Sequence, residues 1–332
     1  MLTDNFLRKH DYLRVSITDK CNLRCIYCMP PEGIPFLSHS EVLRNEEFVE
    51  LIRFFVEMGV RKIRFTGGEP LVRKGFVQII EEVHGMFPDV ELALTTNGVL
   101  VGEYLEDLQR NGVHKLNVSL DTMDRQRYQE LTLRDHFNKV VENIDMALET
   151  GAFDVKINAV LLKETLDEID AFLDYCSERN LILRFIEKMP FREEELNDTV
   201  ISSDSLVKEF ESRGNLIRRK ERDSEVAHRY DLEYKNEHLV RLGIIPPMTH
   251  KFCSSCNRLR LTADGNLKTC LHSLDEYDLK GALRDHATDE EIKKIIHGAV
   301  EKKHEGHKLD CYATDGGCAS IINSRTMSKI GG

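Results

Sequence analysis

The chain has 332 residues, of which 41% are hydrophobic and 31% charged, and a net charge of −11. That length supports one large α/β domain, or one domain with a smaller appendage. The acidic balance argues against a nucleic-acid partner, which wants a basic face, but leaves room for an anionic small molecule at a local cationic cluster. The start of the chain has no signal-peptide pattern and no apolar run has bilayer length, so the expected setting is cytoplasmic, with no membrane partner and with reduced thiols.

From Tyr12 onward, short strand-like runs alternate with amphipathic stretches. The predicted strands are Tyr12–Thr18, Lys62–Thr66, Leu92–Thr96, Lys115–Ser119, Val155–Val160 and Leu183–Glu187. The predicted helices between them are Asn45–Met58, Gly75–Phe87, Glu103–Arg110, Asn138–Thr150 and Asp167–Arg179. Gly59, Gly112 and Gly151 fit helix C-terminal caps. The alternation predicts a parallel sheet of about six βα units, fewer than the eight of a closed barrel. After Glu187 the pattern changes: an acidic loop-like stretch, a helix over Asp204–Arg213, extended chain over Leu216–Ile245, then helices near Asp275–Arg284 and Thr288–Lys303. The expected fold class is therefore α/β, an incomplete (β/α)6 barrel over residues 1–200 followed by a C-terminal α+β domain over 201–332.

Polar residues gather where these strands end. Thr18 and Asp19 close the first strand, Thr66-Gly-Gly-Glu69-Pro the second, Thr95-Thr-Asn97-Gly the third and Ser119-Leu-Asp121 the fourth. Lys156 and Asn158 lie on the fifth, and Arg184 and Glu187 flank the sixth. The C-terminal rim of a parallel βα array is where sites assemble, so these ends read as one shared site.

Six of the nine cysteines form two compact groups. Cys21, Cys25 and Cys28 lie on one short loop after the first strand. Three thiolates so spaced can hold three irons of a cubane and leave the fourth open to another ligand. A structural zinc usually takes four protein ligands, and no fourth donor stands nearby. Gly67 and Gly68 would allow a ligand close to the backbone, and Glu69 could accept from its ammonium. This combination resembles the radical SAM superfamily, in which S-adenosylmethionine (SAM) binds the open iron and yields a 5′-deoxyadenosyl radical.

Cys253, Cys256 and Cys270 repeat the theme. On their own they read either as a zinc site completed by His272 or as an auxiliary cluster with an open iron; the neighbouring radical SAM pattern favours the cluster. Cys176, on an amphipathic stretch, reads as a small buried hydrophobe.

The segment Cys253-Ser-Ser-Cys256-Asn-Arg258-Leu259-Arg260-Leu-Thr-Ala-Asp-Gly265 resembles the C-terminal motif of the GTP 3′,8-cyclases. So do Tyr12-Leu-Arg14, Arg64-Phe-Thr-Gly-Gly-Glu-Pro, Leu94-Thr95-Thr-Asn-Gly, Val155-Lys156-Ile-Asn, Arg184-Phe-Ile-Glu-Lys-Met189-Pro and the terminal Gly331-Gly332. The likeness covers almost the whole chain. It implies rearrangement of GTP to (8S)-3′,8-cyclo-7,8-dihydroguanosine 5′-triphosphate, the first step of molybdenum-cofactor biosynthesis, with hydrogen taken from C3′ and ring closure to C8. It implies two [4Fe–4S] clusters and SAM as cofactors, with Cys21, Cys25 and Cys28 on one cluster and Cys253, Cys256 and Cys270 on the other. Tyr27, Gly68, Ser119 and Met189 would contact SAM. Arg14, Arg64, Thr95, Lys156, Arg258, Leu259 and Arg260 would contact GTP, with Arg258 and Arg260 catalytic and Arg184 a further candidate. The residues suit this: there is no phosphate-binding Gly-rich loop with its Lys-Ser/Thr, so a triphosphate needs side-chain cations, and guanidinium donates to phosphate in pairs. Arg61 and Arg218–Lys220 read instead as solvated charges.

The same resemblance implies a reductase, ferredoxin or flavodoxin as electron donor, cyclic pyranopterin monophosphate synthase as the next enzyme, and a homodimer. The residues leave two competing readings: a radical SAM peptide-modifying enzyme with an auxiliary cluster, and an iron- or zinc-sensing binding protein. Phe191–Asn197 and Ser224–Ala227 depart from the family pattern. Cys311 and Cys318 lie outside its motifs and read as free thiols.

Overall fold

The structure is a computed structural model, and it describes residues 1–29, 33–190, 201–220, 226–235, 238–307, 325 and 327–331. Cys311, Cys318, Gly332, the stretch 191–197 and residues 224–225 lie outside the described residues.

Six parallel strands, β1 (Tyr12–Ser16), β2 (Lys62–Thr66), β3 (Glu91–Thr96), β4 (Val113–Ser119), β5 (Asp154–Leu161) and β6 (Ile182–Glu187), lie side by side in chain order. The helices between them are α1 (Asn45–Glu57), α2 (Phe76–Met86), α3 (Leu105–Arg110), α4 (Arg125–Thr132), α5 (Phe137–Glu149) and α6 (Ile169–Glu178). Gly59, Gly112 and Gly151 take positive φ behind α1, α3 and α5, as helix caps do. Helix α4 has no counterpart among the predicted helices. Only its Tyr128 and Thr132 are buried, so no apolar stripe announces it.

The second half of the chain extends both edges of this array. After α7 (Ser203–Glu211) come β7 (Gly214–Arg218), β8 (His228–Tyr234) and β9 (His238–Ile245), and β9 pairs parallel with β6. Then β10 (Arg258–Leu261) pairs parallel with β1 and antiparallel with β11 (Asn266–Lys268), which pairs with β12 (Tyr277–Asp278). Helices α8 (Leu279–Arg284), α9 (Asp289–Glu301) and the short α10 (Met327–Ile330) complete the described elements. One twelve-stranded sheet thus runs from β12 to β7, across the position where the sequence pattern changes. Among the described residues β1 and β6 do not pair, so the barrel is incomplete, as expected. No described helix is long and apolar enough to cross a membrane.

Period-two alternation gives the strands two unlike faces. Leu13, Val15, Ile63, Phe65, Leu92, Leu94, Leu116, Val118, Ile157, Leu183, Phe185, Leu259 and Leu261 are buried in the core against the helices. The opposite face carries Tyr12, Arg14 and Ser16, then Lys62, Arg64 and Thr66, then Thr95, Asn117, Ser119, Lys156, Asn158, Arg184, Arg258 and Arg260. A polar inner face on a buried parallel sheet has to be satisfied by partners or by a ligand.

Candidate active site

Register builds the cationic part of this inner face. Arg14 on β1 stands opposite Arg64 on β2 and Arg260 on β10, while Tyr12 stands opposite Lys62 and Arg258. Arg64 donates from Nε to the Tyr12 hydroxyl (2.8 Å), and from Nη1 to the Leu94 carbonyl (2.8 Å) and the Thr95 hydroxyl (3.4 Å). Arg260 donates to the Gly331 carbonyl. Burial, with Arg64 and Arg258 close by, lowers the Arg14 guanidinium to about 10, although Tyr12 pulls the other way. Burial, Arg14 and Arg258 push Arg260 well below its ordinary value. Tyr12 is raised by burial, but Arg64, Arg14 and Lys62 outweigh that and bring it down to about 7. This crowding of like charge is what an anionic ligand relieves.

The other basic residues are partnered locally. Lys62 and Lys115 share Glu91, and Lys156 pairs with Asp154. Lys156 is the third residue of β5 and aligns with Asn117 and with the first residue of β6, so it lies low in the barrel. Arg14 and Arg64 are mid-strand, and Arg258 opens β10. The phosphate-binding candidates therefore line the inner wall below the C-terminal rim, with Arg258 and Arg260 on the strand that follows Cys256. Leu259 is fully buried in the core, so only its backbone can face the site.

Cys21, Cys25 and Cys28 are partly exposed on the loop leaving the C-terminal end of β1. The loop is held from two sides. Arg24 and Ile26 amides donate to the Thr132 and Leu131 carbonyls at the end of α4, and the Gly68 and Glu69 amides donate to the Thr18 and Lys20 carbonyls. A Cβ on Gly67 would meet the Thr18 carbonyl oxygen at 2.3 Å, and one on Gly68 the Lys20 carbonyl oxygen at 2.3 Å. These glycines admit the cysteine loop itself, a use beside the ligand approach expected of them. The Glu69 carboxylate accepts from the Leu71 amide, the Thr96 hydroxyl and the Asn97 amide, so it braces the ends of β2 and β3. Burial raises it to about 7, despite these bonds.

Asn97 carries the brace to the sulfur, with its Nδ2 3.6 Å from Cys21 Sγ and 2.7 Å from Asn22 Oδ1. Tyr27 donates to Asp121. Burial pushes Cys21 up to about 11, with Glu69 adding to it. Cys25 is pushed well above its ordinary value by burial, then by Asp121, Cys28 and Cys21.

The second group sits at the opposite end of the inner face. Cys253 and Cys256 precede β10, which runs parallel to β1, and Cys270 follows the antiparallel β11, so all three gather at the N-terminal mouth of the barrel. The Cys256 amide donates to the Cys253 carbonyl (3.2 Å). Lys268, fully buried, ties the loop after Cys270 through the Ser273 carbonyl (2.6 Å) and Glu276 (3.1 Å). Burial raises the Cys256 thiol, but Arg258 and Lys303 overcome this and bring it down to about 6. His272 has its Nε2 3.3 Å from Met189 Sδ and its ring 5.5 Å from that of His307.

Two donor sets can be tested for fit. Among the described residues no three Cys, His, Asp or Glu side chains converge as one metal ion would require. A cubane gives each thiolate its own iron, so it asks for neighbouring rather than convergent sulfurs. Cys25 feels the charges of Cys21 and Cys28, and Arg258, Arg260 and Lys303 each feel both Cys256 and Cys270, while Cys253 is joined to Cys256 by a backbone bond, so the cysteines of each set lie close in the fold. Along the inner face the Ser16 hydroxyl and Asn158 Oδ1 are buried without a partner among the described residues. The sulfur sets fit a cluster, and the orphaned polar atoms fit a polar ligand between them.

The structure thus brings Arg14, Arg64, Thr95, Arg258 and Arg260 together on one wall. Lys156 stands on the other, near Arg184 and Lys115. Tyr27 and Gly68 lie at the first cysteine loop, and Ser119 ends β4 on the inner face opposite Asn158. Met189 touches the second-group side through His272. Gly331 lies inside: a Cβ there would meet Thr66 Cγ2 at 2.8 Å and Ser16 Cβ at 3.0 Å, and its φ is +77°. Sequence reasoning missed Tyr12 and Lys303. Tyr12 was findable, two residues from Arg14 on the same face. Lys303 had no local signal.

Comparison with known proteins adds the following. Residues 15–176 match the family model described as radical SAM superfamily, and 181–309 match the one described as molybdenum cofactor synthesis C. The chain is 41% identical to a protein of Peptoclostridium acidaminophilum named GTP 3′,8-cyclase, over all of this chain and 98% of that one. It is 40% identical to molybdenum cofactor biosynthesis protein 1 of Drosophila melanogaster, over 92% of this chain and 54% of that one. A crystal structure of Streptococcus suis SuiB bound to S-adenosylmethionine superposes with a TM-score of 0.63 at 15% identity, over 98% of this chain and 78% of that one; at that identity the likeness is one of fold.

Proposed function

Because the chain belongs to the GTP 3′,8-cyclase family of the radical SAM superfamily, we propose that it converts GTP to (8S)-3′,8-cyclo-7,8-dihydroguanosine 5′-triphosphate, the opening step of molybdenum-cofactor biosynthesis. Membership carries SAM and a [4Fe–4S] cluster as cofactors. Bound at Cys21, Cys25 and Cys28, they supply a 5′-deoxyadenosyl radical. A second [4Fe–4S] cluster at Cys253, Cys256 and Cys270 belongs to the same reading.

The observation that carries it is the alignment of Arg14, Arg64 and Arg260 on three neighbouring strands, between one cysteine group at the rim and the other at the mouth. In this reading, Arg14, Arg64, Arg258 and Arg260 bind the triphosphate and hold the nucleoside between the two groups. Burial keeps their donors dry, where each charge-assisted bond counts for more than in water. Arg258 stands closest to the second group, with Arg260 next above it on β10. Thr95 orients Arg64, Lys156 and Arg184 close the opposite wall, and Leu259 offers only backbone. Tyr27, Gly68, Ser119 and Met189 serve SAM. The Tyr27–Asp121 bond fixes the aromatic ring beside Cys28 and positions the loop. The electron donor is a reductase, ferredoxin or flavodoxin, the product passes to cyclic pyranopterin monophosphate synthase, and the chain acts as a homodimer in the cytoplasm.

The test is an anaerobic assay of reconstituted protein with SAM, reductant and GTP, followed by mass spectrometry. 5′-Deoxyadenosine together with cyclised GTP is the expected result. 5′-Deoxyadenosine with unchanged GTP would move the substrate elsewhere. No SAM cleavage, with iron verified in both groups, would overturn the reading.

A further inference from the structure

The second cysteine group has a cation that substrate binding leaves unused. Lys303 is 4% exposed, and its Nζ lies 3.7 Å from Cys256 Sγ and 2.9 Å from the Arg258 carbonyl oxygen. It reaches this place through α9, which is capped by Thr288 and Glu291 and anchored in the core by Ile292, Ile296, Ala299 and Val300. The Lys303 amide donates to the Val300 carbonyl (3.0 Å), which turns the chain inward just past the helix end.

A clasp from the N-terminus holds the same segment. Arg8 Nη1 donates to the Cys253 carbonyl (2.7 Å) and the Glu305 carbonyl (2.7 Å), and Nη2 to the His304 carbonyl (2.7 Å). Its Nε is fixed by Asp4 (2.6 Å), which also meets His10 (3.0 Å), and all three side chains are buried. One guanidinium therefore ties the first cysteine of the group to the residues following Lys303. Such construction positions an ammonium on a sulfur, where a loose surface lysine would swing away.

We propose that Lys303 is a positioning residue for the second iron–sulfur cluster: its ammonium donates to the Cys256 thiolate, favours the reduced cluster and sets its potential. This rests on the reading that Cys253, Cys256 and Cys270 hold a [4Fe–4S] cluster. Reduction adds negative charge to a cluster, and a fixed buried cation with an N–H···S contact favours that added charge. The same ammonium grips the Arg258 carbonyl, so it also fixes the sulfur relative to the start of the arginine strand.

The experiment is a potentiometric titration followed by electron paramagnetic resonance. It uses the full-length chain with Cys21, Cys25 and Cys28 replaced by Ala, so that one cluster is read. Lys303→Met keeps the stem and removes the charge. It is expected to lower the reduction equilibrium about tenfold, about 59 mV for a one-electron couple. Lys303→Arg, which keeps charge and donor, is expected to recover most of that shift. An unchanged potential in a fully loaded Lys303→Met protein would overturn the proposal, and so would equal loss of iron in both variants, which marks a merely structural residue. Absence of the cluster from the parent with an intact Lys303 would instead overturn the cluster reading beneath it.

Discussion

Cys25 and Cys256 each belong to a three-cysteine group, and each thiol is largely removed from water. Yet Cys25 is driven well above its ordinary value, while Cys256 is drawn down to about 6. Burial is the largest influence on both. What differs is the company. Around Cys25 stand Asp121 and two further thiols, and around Cys256 stand Arg258 and Lys303. Cys25 is therefore held toward the thiol form and Cys256 toward the thiolate. The arginines that crowd the inner wall thus act on each other and, through the lowest of them, on the Cys256 thiol.

The sharpest way to separate the two groups is to remove one at a time. Cys25→Ser is expected to abolish 5′-deoxyadenosine formation, and Cys256→Ser to keep SAM cleavage while GTP conversion is lost. Product analysis beside iron and sulfide content reads both. Loss of SAM cleavage in both variants would mean that the groups are not separable. Arg260→Ala is expected to reduce GTP cyclisation by at least about a hundredfold while both groups still load, since a buried anion would lose a charge-assisted partner. Intact product formation by that variant would remove Arg260 from the site.

Much of this was legible beforehand, for a definite reason. Strands β1 to β6 end within two residues of their predicted limits because each packs an apolar side against helices, which marks it locally. The thiols announce themselves by spacing. The parts that were not legible depend on long-range pairing. Nothing near residue 258 says that Arg258–Leu261 will lie against Tyr12–Val15, and that pairing carries Arg260 to Arg14. Nothing near Lys303 says that α9 ends beside a cysteine. Nor does polarity at the strand ends tell depth: Glu69 there braces β2 and β3, while the cationic wall lies below.

A smaller effect tests the electrostatic contrast directly. In metal-free, reduced protein at pH 7, Cys256 is expected to react with iodoacetamide faster than Cys25, because it is mostly thiolate there. Arg258→Ala should slow Cys256 by about three- to tenfold, less than full loss of the thiolate would, because Lys303 remains and a more basic sulfur is intrinsically more nucleophilic. Peptide mapping of the alkylated sites gives both rates. Equal rates at the two groups would erase the contrast.

The gentlest test concerns what holds the mouth group in place. His10 is lowered to about 4, first by burial and then by Lys303, although Asp4 favours its charged form. Its ordinary value is 6.5. The unfolded chain therefore binds a proton between those two values that the folded chain refuses, so stability rises with pH across that window and is lost as pH falls through it. Above pH 6.5 His10 is neutral in both states, so its share of the dependence should vanish. Denaturant unfolding of the metal-free protein from pH 4 to pH 8 is expected to show that slope, and His10→Gln to lessen it, with buried His272, lowered to about 3, carrying the remainder. The clasp of Asp4, Arg8 and His10 bears on the Cys253 carbonyl and on residues 304–305. Acid should accordingly loosen the hold on the Cys253 carbonyl and on residues 304–305. If the slope is undiminished in His10→Gln, other groups carry all of it and the clasp is not the acid-sensitive element.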